Sequence, residues 1–356
     1  MSDSTAAKAA IKEQPPMYIS SSPHSGSPVN ARKLMGTLLL CLAPVAVFGI
    51  VLYGLPALRN ILVSVVSAEL AEALFRKASR RDLRIKDCSA AVTGLLLALI
   101  LPPGMPLWMT ALGAAFAIIV AKEFFGGLGA NVFNPALIGR AFLLMSFPVA
   151  ATSWTLPRAI FSAGTLDAVS SATPLGIIKP GGAISGSIAD VGASLAAAGL
   201  AGGSDYWSII GSLFLGTRPG CTGESSVLLI LIAFIVLLVT GVIDWRAPLS
   251  MIASVFVFSL VLKTDLRFAL FAVLTGGVFF GAVFMTTDYV TGPLTAKGKL
   301  IFGACAGLIT VLIRQWGNYP EGVTYGILIM NAVTPFLNRL LQKKYGYVKA
   351  AKGGAK

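Results

Sequence analysis

A threonine hydroxyl set in a run of small residues is the pattern in this sequence that most directly suggests chemistry: Asp167-Ala168-Val169-Ser170-Ser171-Ala172-Thr173-Pro174-Leu175. An enzyme that modifies a hydroxyl needs it on an exposed, extended segment, and Ser170, Ser171 and Ala172 are small enough to leave it open. Pro174 also biases Thr173 away from helical geometry. Taken alone, the same residues also describe a small-residue loop whose threonine does no chemistry, because short patterns recur by chance.

A second set of candidates consists of polar side chains inside apolar runs: Asn131, Asn134, Arg140, Arg218, Glu224 and Asp288. In a membrane such groups are costly unless partnered. Several follow backbone-breaking residues, with Gly126, Gly127 and Gly129 before Asn131, and Gly216, Pro219, Gly220 and Gly223 before Glu224. Irregular backbone at membrane depth is tolerated where it is buried in protein or lines a cavity. Two readings follow, a cofactor or ion site and a set of polar contacts between helices. Cys41, Cys88, Cys221 and Cys305 are scattered, without the spacing of a zinc or iron-sulfur site, so no metal is expected. Gly126-Gly127-Leu128-Gly129 lacks the flanking strand and the spacing of a dinucleotide fingerprint. His24, the single histidine, lies in a polar tail, and Gly277-Val278-Phe279-Phe280-Gly281 reads as a small-residue spacing for close helix packing.

The elements that carry these groups are membrane helices. The 356 residues are 56% hydrophobic and 12% charged, against roughly a quarter charged in soluble domains. Runs approach the about 20 apolar residues that a span needs. The reading is an all-α polytopic membrane protein of about ten transmembrane helices, at 34–53, 57–75, 89–101, 106–122, 131–150, 207–243 (interrupted), 247–262, 267–286, 299–314 and 322–342. Two five-helix repeats with interrupted helices would accommodate that number, the second inverted relative to the first. This repeat rests on counting, since the similar stretches 124–135 and 286–293 fall on the same side of the membrane.

The net charge of +13 is concentrated in clusters beside the spans. Arg76, Lys77, Arg80, Arg81, Arg84 and Lys86 share one short loop, Arg339, Lys343, Lys344, Lys349, Lys352 and Lys356 close the chain, and Lys122 joins them. Such clusters mark the cytoplasmic side and argue for lipid contact, with no nucleic acid partner. Arg59, Arg158, Lys179, Lys263, Arg267 and Arg314 then fall outside the cytoplasm. The division is a cytoplasmic tail at 1–33, a first bundle at 34–150, an extracytoplasmic loop at 151–206, a second bundle at 207–342 and a basic cytoplasmic tail at 343–356. The opening residues lack a secretory signal's pattern, so the first span is expected to be retained.

The Asp167 to Thr173 pattern closely resembles the flavinylation motif of the family that includes the D subunit of Rnf complexes and the B subunit of sodium-translocating NADH:quinone reductases. The resemblance extends over most of the chain. It includes Ser22-Pro23-His24, Leu99-Ile100-Leu101-Pro102-Pro103, Gly129-Ala130-Asn131-Val132-Phe133-Asn134-Pro135-Ala136, Gly223-Glu224-Ser225-Ser226, Asp244-Trp245-Arg246, and Met285-Thr286-Thr287-Asp288-Tyr289 with Pro293. Ser171 departs from the family's usual glycine.

What the resemblance implies is an electron-transferring membrane subunit of an ion-translocating ferredoxin:NAD oxidoreductase in the bacterial plasma membrane. FMN would be joined through its phosphate to Thr173 by a flavin transferase, within a segment formed by Asp167, Ser170, Ser171 and Ala172. A second, non-covalent flavin, riboflavin or FMN, would lie in the membrane, with Asn131 and Asn134 as candidate contacts, and Glu224 and Asp288 are candidates for an ion path. The partners would be the other Rnf subunits, and this subunit would itself bind no NAD. Two alternatives stand beside this reading: a quinone-reductase subunit with the same flavin, and a solute channel resembling those for urea and ammonium, which would carry none.

Overall fold

The computed structural model describes residues 30–82, 87–157, 170–179, 187–197, 205–317 and 321–341. Ser22-Pro23-His24, Arg84, Lys86, Arg158, Asp167 and the basic residues from Lys343 onward lie outside the described residues, as do most of both tails.

The described residues are mostly helical. Helices α1 (Ala31–Tyr53), α2 (Leu55–Ala78), α3 (Ser89–Ile100), α4 (Leu107–Ile118) and α5 (Pro135–Ser146) form the first group. A π-helical turn, Ile119–Glu123, extends α4. After the short α6 (Pro148–Ala151) comes a two-stranded hairpin of β1 (Trp154–Thr155) and β2 (Ser170–Ser171), which pairs Trp154 with Ser171 and Thr155 with Ser170 in antiparallel register. The short helices α7 (Pro174–Ile178) and α8 (Ile188–Ala197) lead into the second group. That group holds α9 (Tyr206–Leu215), α10 (Val227–Val239), α11 (Arg246–Lys263), α12 (Leu266–Leu274), α13 (Val278–Phe280), α14 (Ala296–Trp316) and α15 (Val323–Leu341).

Every apolar segment expected from the sequence coincides with a helix or with two short ones. Three helices among the described residues, α1, α11 and α14, are long and apolar enough to cross a membrane alone. A fourth crossing results if α12 and α13 are one broken span, bent by 61°. The others fall short for visible reasons. Helix α2 carries Glu69, Glu72, Arg76 and Lys77. Helix α3 stops before Pro102-Pro103, where proline cannot continue the hydrogen-bond ladder. The interrupted segment divides into α9 and α10 at Gly216, whose φ of 104° suits glycine and where a Cβ would collide with the Ser225 carbonyl. The segment expected from residue 131 starts as helix only at Pro135, because Asn134 caps it by accepting from the backbone N–H of Ala136 at 3.0 Å.

Packing follows a recurring pattern. Helix α2 lies on α3 and α4, and α4 on α5; likewise α11 lies on α12 and α14, and α14 on α15. Helix α1 against α10 and α5 against α15 join the two groups. One large apolar core runs through both, and the broken pieces α3 and α13 sit at its centre, with Leu97, Leu99 and Phe280 buried.

A smaller core ties the long central stretch to the bundle. Ile178 of α7, Val191 and Leu195 of α8, Ile209 and Leu213 of α9, and Phe271 of α12 pack together. The described part of this stretch is therefore a docked subdomain, which positions Thr173 against the helices.

Candidate functional site

Thr173 ends the hairpin and begins α7. Its backbone is extended, at φ −66° and ψ 157°, as Pro174 requires. Its exposure overturns the expectation of an open acceptor: only 6% of Thr173 is accessible, although Ala172 beside it is exposed. The physical reason is local and tertiary together. Thr173 Oγ1 accepts from the Gly176 N–H at 3.1 Å, the N-cap bond that starts α7. Leu175 then covers the backbone break at Gly276, and Lys179 reaches across to the end of α14. Extended geometry and small neighbours fit an acceptor for a flavin phosphate; the burial of the hydroxyl in this docked arrangement does not.

Lys179 donates to the carbonyls of Ile313 at 3.2 Å, of Arg314 at 2.6 Å and of Gly317. These carbonyls belong to the C-terminal turn of α14, where a helix leaves acceptors unpaired and favours a cation. Burial lowers the Lys179 pKa, and the Arg314 guanidinium lowers it further.

Beneath this segment lies the break between α12 and α13. Two arginines stabilise the exposed carbonyls at the end of α12: Arg218 Nη1 donates to Leu274 at 2.6 Å, and Arg314 donates to Ala272 at 2.6 Å and Thr275 at 2.8 Å. Arg218 thus has a capping role at depth. Across the break, Gly277 has φ 68°, and a Cβ on it would lie 2.9 Å from a Glu224 carboxylate oxygen. The expected Gly277 to Gly281 spacing is therefore interrupted by this cap, and only Gly281 makes the close helix contact, against Val323 of α15.

Glu224 stands in the irregular stretch between α9 and α10. Its carboxylate accepts from the Cys221 N–H at 3.3 Å, and its carbonyl accepts from Arg218 at 2.9 Å. Arg140 of α5 forms an ion pair with Glu321, which precedes α15. Ligand atoms of Cys221, Glu224 and Glu321 lie within 4.8 Å of one another. With Arg140, Gly277 and Phe280 they line a small cavity. A metal ion is a poor match for this group, because the Cys221 thiol donates to the Ile100 carbonyl and the Arg140 guanidinium already pairs with the Glu321 carboxylate. Arg140 and Glu321 also border a neighbouring cavity with Trp154 and Thr324, which reaches the hairpin that precedes Thr173.

At the opposite end of the bundle, Asn131 and Asn134 share a cleft with Ser89, Thr93, Lys122 and Asp288. The cleft gathers the starts of α1, α3 and α5 and the ends of α4 and α13, so five elements must be in place to form it. Asn134 uses its carbonyl oxygen as the cap of α5, leaving its NH₂ to offer. Asn131 donates to the Phe133 carbonyl at 3.2 Å, which leaves its side-chain oxygen as acceptor. Asp288 accepts from the Val290 N–H at 3.2 Å and the Thr291 hydroxyl at 3.0 Å, fixing the turn that follows the π-helical residues Gly281–Met285. Asp288 and Glu224 do not meet: they border separate cavities that share the segment 280–288.

Sequence reasoning missed a buried charge network beside that cleft. Lys122 Nζ lies 3.0 Å from Glu72 and 2.6 Å from the Ser89 hydroxyl; Arg76 lies 2.9 Å from Glu123 and 3.3 Å from Glu72. Arg76 and Lys122 are buried, as are Lys179 and Arg314, so these four are internal partners rather than the surface charges expected from their position. Lys77, Arg80 and Arg81 remain exposed. The one legible signal was Glu72 and Arg76 four residues apart on an otherwise apolar helix. Glu321 carried none.

A helical bundle with broken helices at its centre, buried charged side chains and polar cavities toward both ends defines a helical membrane protein with irregular, polar backbone segments held inside the bundle. The chain belongs to the NQR2, RnfD, RnfE family, whose model matches residues 18–346. It is 41% identical over 340 residues to the D subunit of the proton-translocating ferredoxin:NAD(+) oxidoreductase complex of Clostridium ljungdahlii, covering 92% of this chain and 96% of that protein. It is 37% identical to the D subunit of the Na(+)-translocating ferredoxin:NAD(+) oxidoreductase complex of Acetobacterium woodii, covering 94% and 97%. Against the D subunit of the ion-translocating oxidoreductase complex of Stutzerimonas stutzeri it is 36% identical, covering 90% and 93%.

Proposed function

We propose that this chain is the D-type membrane subunit of an ion-translocating ferredoxin:NAD oxidoreductase, carrying FMN esterified to Thr173 and passing electrons within the complex. The observation that carries the reading is the near full-length similarity to subunits of that name, 41% over 92% of the chain in one case. A strain lacking this subunit should lose ferredoxin-dependent NAD reduction and the coupled ion uptake of membrane vesicles, and the restored gene should return both. Wild-type rates in the deletion strain would refute the assignment.

The cleft lined by Asn131 and Asn134 is the proposed place of a second flavin. Like other small-molecule sites, it joins apolar walls to a few convergent polar groups. A flavin there would supply electron transfer. The chain's part is to present an amide donor from Asn134 and an acceptor from Asn131, and to exclude water with Leu38, Leu96 and Phe284.

The proposed architecture is ten membrane crossings in two five-helix repeats. Its support is the recurrence of the α2, α3, α4, α5 packing pattern in α11, α12 with α13, α14, α15. In the proposed orientation both termini are cytoplasmic and the Thr173 segment lies outside, and the basic clusters beside the spans support it. Cysteines introduced at the exposed positions Ser153 and Ser79 test this. Ser153→Cys should react with an impermeant reagent in intact cells, and Ser79→Cys only after permeabilisation; the opposite result would invert the protein.

Glu224 and Asp288 are proposed to serve ion movement, Glu224 at the helix break and Asp288 at the cytoplasmic mouth. Because the Glu224 cluster already holds the Arg140 guanidinium, it suits exchange of a proton better than capture of a bare cation. Glu224→Gln keeps the shape and removes the charge. It should leave assembly intact and slow coupled transport by about tenfold or more, the factor equivalent to 1.4 kcal/mol, a typical cost of one mismatched buried polar group. Unchanged coupling in this variant and in Asn134→Ala would return both residues to a packing role.

A further inference from the structure

Thr173 is the proposed site of a group transfer, yet the residue is only 6% exposed and its hydroxyl accepts from the Gly176 N–H. Its neighbours explain why it is closed. Leu175, 4% exposed, sits over Gly276 at the break between α12 and α13, and Lys179 is anchored on the last carbonyls of α14. The same segment is thus both the proposed substrate of a modifying enzyme and a buried part of the bundle.

We infer that the segment 172–179 is modified while undocked, and that Lys179 is the positioning residue that latches it onto the end of α14 afterwards. The inference rests on the reading of Thr173 as acceptor. In the transfer, Thr173 Oγ1 forms a bond to the FMN phosphorus of a flavin dinucleotide, the phosphoanhydride bond breaks, and adenosine monophosphate leaves. The hydroxyl proton passes to a base on the transferase. An attacking oxygen needs an in-line approach to phosphorus, which the docked hydroxyl denies. Access therefore depends on local opening, whose population sets the rate when opening and closing are fast.

Lys179 is well suited to the latch. Its ammonium meets the carbonyls that close α14, of which Ile313 also accepts from the Gly317 N–H, so docking gives the cation acceptors at the negative end of the helix and releasing it returns the cation to water. The latch also transmits position, because Arg314, whose carbonyl receives Lys179, holds the carbonyls of α12 at the break above Glu224.

The test uses the full chain in membranes that lack the transferase. Thr173→Cys and Ala172→Cys are alkylated with a maleimide, and the label is read by mass spectrometry on the peptide carrying those positions. The thiol at position 173 should react about tenfold or more slowly than the thiol at position 172, since reactivity follows the open fraction. Adding Lys179→Met should bring the two within about twofold, and Lys179→Arg, which keeps a donor cation, should restore most of the difference. In parallel, transferase and flavin dinucleotide are added to chains with Thr173 intact, and ester formation should be faster with Lys179→Met than with Lys179. Equal alkylation at 172 and 173 in the Lys179 background would overturn the latch even if Thr173 becomes flavinylated. Alkylation that follows the expected order with no flavin on any Thr173 peptide would keep the latch and overturn the acceptor instead. A Lys179→Arg chain that behaves as Lys179→Met would show that general loosening, not the latch, opens the segment.

Discussion

Thr173→Ala is expected to remove the proposed covalent flavin completely while the helical bundle still assembles. The chemistry is all or none, because alanine has no oxygen with which to form the ester. The structural cost is separable and small. Thr173 caps a helix of five residues, and losing an N-cap costs about 1 kcal/mol, confined here to a segment outside the main core. Thr173→Ser keeps both the hydroxyl and the cap, so it should retain the flavin. In-gel flavin fluorescence and the mass of the peptide containing Thr173 check both variants, with complex assembly followed by co-purification of the partner subunits. Electron flow through an assembled Thr173→Ala complex should fall to background, because the proposed carrier would be attached by that one bond. A fluorescent Thr173→Ala band would remove Thr173 from the site.

The parts of this molecule that were legible in the sequence are those with local causes. Apolar runs marked the helices of the bundle but not α7 and α8 in the central stretch, and Gly216, Pro219, Gly220 and Pro102-Pro103 marked where helices break, since glycine and proline act on their own backbone. Asn134 was legible too, as an Asn-Pro pair at a helix start, although its capping role was not drawn from that signal. What stayed hidden depends on distant partners. The burial of Thr173 follows from Lys179 meeting carbonyls of α14 more than a hundred positions away. The roles of Arg218 and Arg314 are equally opaque, because they donate to backbone carbonyls, and a carbonyl has no residue signature. Lys122 read as a cytoplasmic surface charge because a one-dimensional pattern cannot distinguish a lysine at a helix end from one folded back into a polar pocket.

That misread lysine supports the largest stability effect expected here. Lys122→Met should destabilise the folded chain by about 3–5 kcal/mol, the usual consequence of removing one partner from a buried ion pair. The buried group holds Glu72 and Glu123 against Arg76 and Lys122, with side-chain exposures of 4% or less. Without Lys122 the group carries an unbalanced negative charge, and Glu72 retains only Arg76, already shared with Glu123, as a cationic partner. Methionine fills the aliphatic volume, so the loss is electrostatic rather than a cavity effect. The double variant Lys122→Met with Glu72→Gln removes both members of one pair and leaves Arg76 and Glu123 to balance each other. It should recover most of the lost stability, since apolar or neutral replacement of a whole buried pair is often neutral. Thermal unfolding in detergent, run as a double-mutant cycle, measures the coupling directly. Simple additivity, with the double variant as unstable as the sum of the two single ones, would show that Lys122 and Glu72 are not a pair and that the charges of this wall are held by solvent entering the cleft.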